Sequence, residues 1–399
     1  MPDDQAAIIP SLSRAVETGE ALAECLEQLA GGLKGRRVDA LFVFVSPHHR
    51  DAYALLQETL LAEFKPRVLA GCSGGGVIGR AQEVEEAPAL SVTAAVLPGC
   101  SVAVRHLEDA EIPGPDDPPG AWEKALEVES RMSPGFIILA SPFMARCEEL
   151  LAGLDYAFPK SPKVGGVVSG LRHVGERSLF MDGQRFSDGA VVFSLAGPVR
   201  LGALVSQGCR PVGPLMTVTS CTVNVIETLD QKPALRALQS VLEGQDARTR
   251  GLLQRALFIG LVGDSLSKEE PSPGEYLIRN VMGLDARAGA MAVAALVREG
   301  MRIRFHVRDL ETAEGDLEQA FVRARGEGPA LGGLLFSCLG RGERLFQKPD
   351  HDSAAFADAF GTEALGGFFC NGEIGPVGRG TYLHGFTSCY ALFRAASGD

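Results

Sequence analysis

Two charged side chains stand beside glycine at the ends of apolar runs near the C-terminus: Arg341 in Gly340-Arg341-Gly342, and Glu373 in Gly372-Glu373. A guanidinium grips a carboxylate through two parallel hydrogen bonds, and a carboxylate answers an ammonium. If the strand ends converge on one cavity, the two would suit a zwitterion such as an amino acid, with Asn371 and Thr387 adding neutral hydrogen bonds. The plainer alternative is a structural salt bridge between Arg341 and Glu373. Ser337, Cys338 and His384 lie in the same blocks. A nucleophilic pair would take Cys338 or Cys72 with His384 as base. A reactive thiol needs a cation or helix N-terminus beside it, and Arg341 follows Cys338 closely in sequence. Against this, a lone histidine in an apolar stretch is more often a satisfied core residue, and an inert buried cysteine is the commoner kind.

A second glycine-rich run, Gly71-Cys72-Ser73-Gly74-Gly75-Gly76-Val77-Ile78-Gly79, spells both a nucleophile elbow and a dinucleotide fingerprint. Both motifs require a helix directly after the turn. The acids and Pro88 that follow Arg80 supply none, so both readings fail. What remains is a turn, Cys72 to Gly75, that either presents backbone N–H groups to an anion or carbonyl or packs as a tight corner. Asp350-His351-Asp352-Ser353 reads as a helix N-cap, with Gly361 as the stop. His48-His49 has no acidic partner at metal-ligand spacing. No metal and no cofactor is expected.

The elements that must position these residues repeat. Leu41–Pro47 and Phe136–Pro142 are apolar strands ending in Ser-Pro. Each leads into a helix (Ala52–Phe64, Cys147–Leu154) and a returning strand at Leu69-Ala70-Gly71 or Val164-Gly165-Gly166. The same interval separates Ser46 from Leu69 and Ser141 from Val164. A third copy runs from Leu334–Ser337 through Ser353–Phe360 to Leu365-Gly366-Gly367, and a fourth, weaker one from Leu257–Gly260 to Tyr276–Ile278. Glycine turns then suggest hairpins joining Leu90–Val96 to Val102–His106, Ala190–Leu195 to Val199–Val205, and Ala290–Val297 to Arg302–Val307. The expectation is an α+β chain of about four strand–helix–strand–hairpin units in mixed sheets with helices packed on them. The units pair into domains at 37–210 and 211–399, preceded by a lead-in at 1–36 with an amphipathic helix, Ser13–Leu29. Asp109–Gly120 reads as a surface loop.

Composition narrows the partners. A net charge of −12 disfavours nucleic acid and anionic membranes. Nine cysteines without a C-x-x-C form neither a disulfide framework nor a structural zinc site. The acidic start, Met1 to Gln5, is not a secretory signal, and no apolar run reaches spanning length. The chain reads as cytoplasmic.

Three blocks, Phe336–Gly342, Gly366–Pro376 and Leu383–Thr387, together with Leu69–Gly79 and Val218–Glu227, resemble the FIST domain, a sensory module of bacterial signalling proteins and some F-box proteins. The resemblance spans about Val38 to Phe393. It implies a non-catalytic sensor of amino acids or related metabolites, with a pocket drawn from Cys72, Ser73, Gly74, Gly75, Ser337, Cys338, Arg341, Asn371, Glu373, His384 and Thr387. It also implies a downstream signalling partner, with output acting in trans or through a self-contained oligomer, since the two halves fill the chain. A Cys/His enzyme and a ligand-free interaction scaffold are the competing readings.

Overall fold

The computed structural model describes residues 5–170, 178–262, 271 and 274–395. Its contacts divide the chain into two compact units, Met1–Val205 with Ala320–Asp399, and Ser206–Gln319. Both mix helix and strand, as the sequence leads one to expect.

In the larger unit one succession of elements occurs three times. The first is β1 (Ala7–Ser13), α1 (Thr18–Leu33), β2 (Ala40–Val45), α2 (Tyr53–Phe64), β3 (Val68–Ser73), β4 (Gly76–Gly79), β5 (Gln82–Glu85) and β6 (Leu90–Val96). The second is β7 (Ser101–Leu107), α3 (Pro119–Leu126), β8 (Gly135–Ala140), α4 (Cys147–Ala157), β9 (Lys163–Val167), β10 (Leu179–Met181), β11 (Gln184–Phe186) and β12 (Ala190–Ala196). The third opens with β13 (Val199–Ser206). The chain then builds the smaller unit from β14 (Cys209–Thr222), β15 (Val225–Leu229), β16 (Lys232–Pro233), α5 (Ala234–Glu243), α6 (Ala247–Arg255), β17 (Leu257–Val262), β18 (Tyr276–Asp285), β19 (Ala290–Val293) and β20 (Arg302–Arg308). It resumes the third repeat with α7 (Leu310–Gly326), β21 (Gly332–Cys338), α8 (Gly342–Phe346), α9 (His351–Phe360), β22 (Leu365–Cys370), β23 (Glu373–Val377), β24 (Gly380–His384) and β25 (Ser388–Ala395).

Each repeat founds a six-stranded sheet, and the three strand orders correspond: β1-β6-β2-β3-β10-β11, β7-β12-β8-β9-β23-β24, and β13-β25-β21-β22-β4-β5. The parallel pairs β2–β3, β8–β9 and β21–β22 are joined by crossovers through α2, α4 and α9. The last two strands of every sheet are a hairpin lent by another repeat. Repeat one lends β4–β5 to the third sheet, repeat two lends β10–β11 to the first, and repeat three lends β23–β24 to the second. The smaller unit is a six-stranded barrel, closed by the pairing of β14 with β15.

The parallel strands are apolar along their whole length because both faces are covered. Their inner faces share one core. Phe42 of the first sheet lies 5.0 Å from Phe193 of the second and 6.1 Å from Phe393 of the third, ring centre to ring centre. Outer faces are covered by helices. Ala21, Leu22, Cys25, Leu29 and Leu33 form the buried side of α1, and Leu150, Leu151 and Leu154 that of α4. Over the third sheet, Phe321, Phe356, Phe360 and Tyr390 form an aromatic cluster.

Several expectations differ from this arrangement. There are three copies, not four: β17 and β18 pair antiparallel, so they are neighbours in the barrel and not a strand and its parallel return. Most residues between them lie outside the described residues. The three expected hairpins do not form. β6 and β7 enter different sheets, as do β12 and β13, while β19 pairs with β15 and β18, and β20 with β14 and β17. A strand buried on both faces carries no periodic mark of its partner. Ser13 ends β1 instead of capping a helix. β1 pairs along its length with β6, α1 starts at Thr18 and runs through Gly31-Gly32, and Val16 is exposed. The reading of 109–120 as loop missed the first residues of α3. The two compact units do not follow the halves 37–210 and 211–399, because the smaller unit is spliced into the third repeat.

One feature of the glycines is shared by all three repeats. A Cβ on Gly71, Gly165 or Gly367 would overlap the carbonyl oxygen of Val43, Ile138 or Leu335 on the neighbouring parallel strand. Overpacking of this kind should lower the stability of Gly165→Ala by about 3 kcal/mol. Gly31, exposed inside α1 with open space around it, makes the contrast: Gly31→Ala should gain about 0.5–1 kcal/mol. Denaturant midpoints of the two variants check both signs.

Candidate functional site

The three glycines bring β3, β9 and β22 close to their partners and fix where the following residues emerge. Those residues meet. The Gly75 N–H donates to Ser169 Oγ at 2.8 Å, and Ser169 Oγ donates to the carbonyl oxygen of Phe369. Gly170 packs against Gly74 and Gly75, for a Cβ there would lie 2.7 Å from the Gly75 nitrogen. The Asn371 N–H donates to the Val167 carbonyl at 2.9 Å, and the Leu339 N–H to the Cys370 carbonyl at 3.0 Å. Strand ends of all three repeats are thus stitched together by backbone and one serine.

Equivalence by register corrects one detail of the repeat. The N–H groups of Ser46, Ser141 and Cys338 donate to the carbonyls of Ala89, Gly189 and Thr387 at 2.9, 2.8 and 3.0 Å. Cys338, not Ser337, is therefore the counterpart of the two serines. Ser337 corresponds to Val45 and Ala140, which is why its side chain turns toward α9.

Arg341 is fully buried, and its Nε and Nη2 donate to Asp352 Oδ2 and Oδ1 at 2.8 and 3.0 Å. His351 Nδ1 lies 2.9 Å from Asp352 Oδ1, Ser337 Oγ donates to Oδ2 at 3.3 Å, and the Tyr390 hydroxyl donates to the Asp352 carbonyl at 3.1 Å. Phe346 stacks on His351 and lies under the guanidinium. Burial opposes charge on Asp352, but Arg341 and His351 overcome it and hold its carboxyl well below the usual range. The neighbouring β4–β5 hairpin is clipped to this region. Glu83 Oε1 accepts the Ser353 N–H at 2.8 Å, Asp350 Oδ1 accepts the Glu83 N–H at 2.6 Å, and Glu85 Oε1 accepts the Glu343 N–H at 2.8 Å. Burial, with the charge of Asp352 beside it, pushes the Glu83 carboxyl up to about 8. The matching positions of the other two hairpins carry Arg185 and Leu383.

Glu373 and His384 face each other across β23–β24, and both are buried. Glu373 Oε2 accepts the Thr387 N–H, and His384 Nε2 lies against the Gly375 carbonyl, each at 3.0 Å. Thr387 Oγ1 donates to the Gly385 carbonyl at 3.2 Å. Asn371 is exposed and Cys338 half-exposed, its Sγ accepting the Gly340 N–H at 3.4 Å. Cys72 is buried in the shared core, and burial pushes its thiol far up, as it does those of Cys370 and Cys389. Ser73 Oγ accepts the Ser178 N–H at 3.2 Å.

The structure therefore gathers Ser337 and Arg341 around Asp352. It gathers Glu373, His384 and Thr387 on one hairpin and its return, and places Gly74, Gly75 and Asn371 at the strand ends. Sequence reasoning missed Asp352 as the partner of Arg341, having read its segment only as a cap; Asp350 occupies that cap, at φ +59°. It also missed Ser169 and Glu83. Ser169-Gly170 could have been found by setting Gly165-Gly166 beside its two counterparts, since a polar residue followed by glycine comes soon after in all three copies, as Ser73-Gly74, Ser169-Gly170 and Asn371-Gly372. Among the described residues no cluster of His, Cys, Asp and Glu is arranged to hold a metal, and no helix is long and apolar enough to cross a membrane.

Three stitched repeats with an interrupting barrel define a two-unit protein with a strand-end site. Residues 39–232 match the FIST N domain and residues 234–376 the FIST C domain. The chain belongs to the FIST family. It is 36% identical to the uncharacterized protein MT0656 of Mycobacterium tuberculosis, over 96% of this chain and 97% of that one. It is 32% identical to the uncharacterized protein Mb0898c of Mycobacterium bovis, over 94% and 95%. An Arabidopsis thaliana F-box/LRR-repeat protein, At5g63520, is 23% identical over 65% of this chain and 58% of its own. A solved cyanuric acid hydrolase from A. caulinodans covers 98% of this chain and 100% of its own at a TM-score of 0.33 and 10% identity, a likeness too low to bear on fold or function.

Two outcomes follow for the buried charges. Arg341→Ala strands Asp352 and should cost about 3–5 kcal/mol, with much of this recovered when Asp352→Leu is added; urea unfolding of both variants measures it. Asp352 contributes stability that is present above its unfolded value and lost as pH falls through its depressed one. Glu83 has the opposite sign. Between about 4.5 and about 8 the folded chain holds a proton the unfolded chain has released, so stability falls as pH rises through that window. Glu83→Gln keeps an acceptor for Ser353 and removes the titration. Its melting midpoint should match wild type near pH 4.5 and exceed it at pH 8.

Proposed function

We propose that this protein is a sensory, small-molecule-binding member of the FIST family. Its ligand is an amino acid or related metabolite, received where the strand ends meet, and its output passes to a partner protein. The observation that carries this reading is the meeting of glycine-rich strand ends from all three repeats. Gly170, Leu339 and Asn371 are exposed there and Gly75, Cys338 and Gly340 partly exposed, beside side chains that are fixed and buried. Small residues let a ligand reach backbone donors and acceptors, and a rigid surround lowers the ordering cost of binding. Arg341 and Glu373 act in this reading by holding the Cys338–Gly342 and Gly385–Thr387 segments in place.

A thermal-shift panel of amino acids and small carboxylates tests it. A ligand at 100 times its Kd adds about 2.7 kcal/mol of stability. The shift should disappear in Asn371→Ala and in Leu339→Glu, both of which alter the open rim and leave the core intact. A hit that survives both variants moves the site elsewhere, and a panel without a hit removes the amino-acid class. The competing Cys/His enzyme needs an accessible thiolate. Native alkylation at pH 8 should label Cys209, Cys221 and Cys338, which are partly exposed, well before Cys72, Cys370 and Cys389. Labelling of Cys338 far faster than Cys209 would turn attention to the enzyme.

A further inference from the structure

A cavity of about 620 Å³ opens where the β4–β5 turn meets α1 and the start of α9, lined by Arg14, Glu24, Arg80, Gln82, Asp350 and Glu363 among others. We propose that it binds a dipolar molecule of dipeptide size, its carboxylate held by Arg14 and Arg80 and its ammonium by Glu24 and Glu363. This site is separate from the strand-end rim.

Three observations bear on it. First, the guanidiniums engage neutral groups. Arg14 Nη2 lies 3.4 Å from Gln82 Oε1, and Arg80 Nη1 lies 3.3 Å from Gln28 Oε1. Both bonds are long and exposed, and an incoming carboxylate offers a stronger, charge-assisted replacement. Second, the wall carries both signs. Asp350 is already engaged by the Glu83 N–H, and Ser13 Oγ occupies only one oxygen of Glu24, so two cations face three carboxylates, of which Glu24 and Glu363 have acceptor sites to spare. A simple anion would meet repulsion from the acids, and a simple cation from the arginines. Rounded off, a cavity of this volume is about 10 Å across. A single α-amino acid, whose charges are about 3 Å apart, spans little of it, and a dipeptide with free ends spans more of it.

Third, the turn that carries Arg80 is strained, and the repeat supplies its own controls. The three lent hairpins turn at Arg80-Ala81, Asp182-Gly183 and Gly378-Arg379. In the second, φ is +47° at Asp182 and +87° at Gly183; in the third, the positive angle falls on Gly378 at +59°. Those sequences suit their geometry. Arg80 and Ala81 take φ of +51° and +55° with no glycine and no asparagine, against the strong preference of such turns. Strain retained in one copy of three marks the residue that the turn presents, and that residue is the guanidinium at the cavity.

Isothermal titration with L-Ala-L-Ala against the full chain tests the proposal. Saturable binding is expected, weakened at least about tenfold when either end of the peptide is capped, as acetyl-Ala-Ala or Ala-Ala-amide. Arg80→Gly relieves the turn. It should raise the melting midpoint yet weaken dipeptide binding at least about tenfold, whereas Ala81→Gly should raise the midpoint and keep binding. Asn371→Ala should leave dipeptide binding unchanged, which separates this site from the strand-end reading. Absence of saturation at millimolar Ala-Ala, binding indifferent to the caps, or full affinity in Arg80→Gly would each overturn it.

Discussion

The larger unit depends on strands that are not used where they are made. Each repeat supplies four strands to its own sheet and lends a hairpin to another, in a closed cycle of three. A sheet without its lent hairpin would expose the free edge of a parallel strand, with a row of unpaired N–H and C=O groups. No repeat can satisfy its own backbone, so the three are stable together or not at all. The shared core agrees with this. Phe42, Phe193 and Phe393 come from three different sheets, and none of them is covered by its own.

That cycle also makes the site. After β3 and β22 the chain runs straight into the lent hairpin, so there the crossing points are the strand ends themselves. Gly71, Gly165 and Gly367 draw those strands against their neighbours, and the ends meet at Ser169. Symmetry of backbone does not extend to charge. Glu83, Arg185 and Leu383 occupy one position in three hairpins, and only the third sheet sets Asp352, the partner of Arg341 and His351, beside it. The buried ion pair does not need to add net stability to matter. It ties the start of α8 to α9, which Glu83, Asp350 and Glu85 clip to a hairpin of distant origin, and so fixes the Cys338–Gly342 segment at the edge of the open rim.

Much of the local structure was legible. Apolar runs closed by Ser-Pro or Gly-Gly marked the parallel strands, and the helices α2, α4 and α9 were found close to their true limits, because each is one amphipathic stretch between two such marks. The turn at Cys72–Gly75 was read as either a ligand-facing turn or a tight corner, and Gly74 and Gly75 do pack closely against Gly170. Partner choice was not legible. β6 is buried on both faces, so nothing in its alternation says which sheet receives the next strand, and a Pro-Gly corner turns the chain without naming its destination. The one-residue shift that set Ser337 beside Ser46 arose the same way, from matching letters where only register distinguishes Ser337 from Cys338. The partner of Arg341 was hidden because Asp352 follows a segment that already made sense as a helix cap. Two explanations for one short stretch of acids cannot be separated without geometry.

The lent hairpin of the first repeat has a consequence for how the chain is made. β4 must wait for β22, with the second repeat, the barrel and most of the third repeat lying between them in sequence. At ordinary translation rates of roughly 5–20 residues per second, that wait is roughly 15–60 s on the ribosome. Throughout it, Val77 and Ile78, fully buried in the finished protein, have only their hairpin partner β5 beside them. The barrel, by contrast, is contiguous in sequence and can close as soon as it emerges. The order of synthesis therefore sets a finished domain in the middle of an unfinished one, and leaves the nascent N-terminal segment as the stretch most in need of a chaperone.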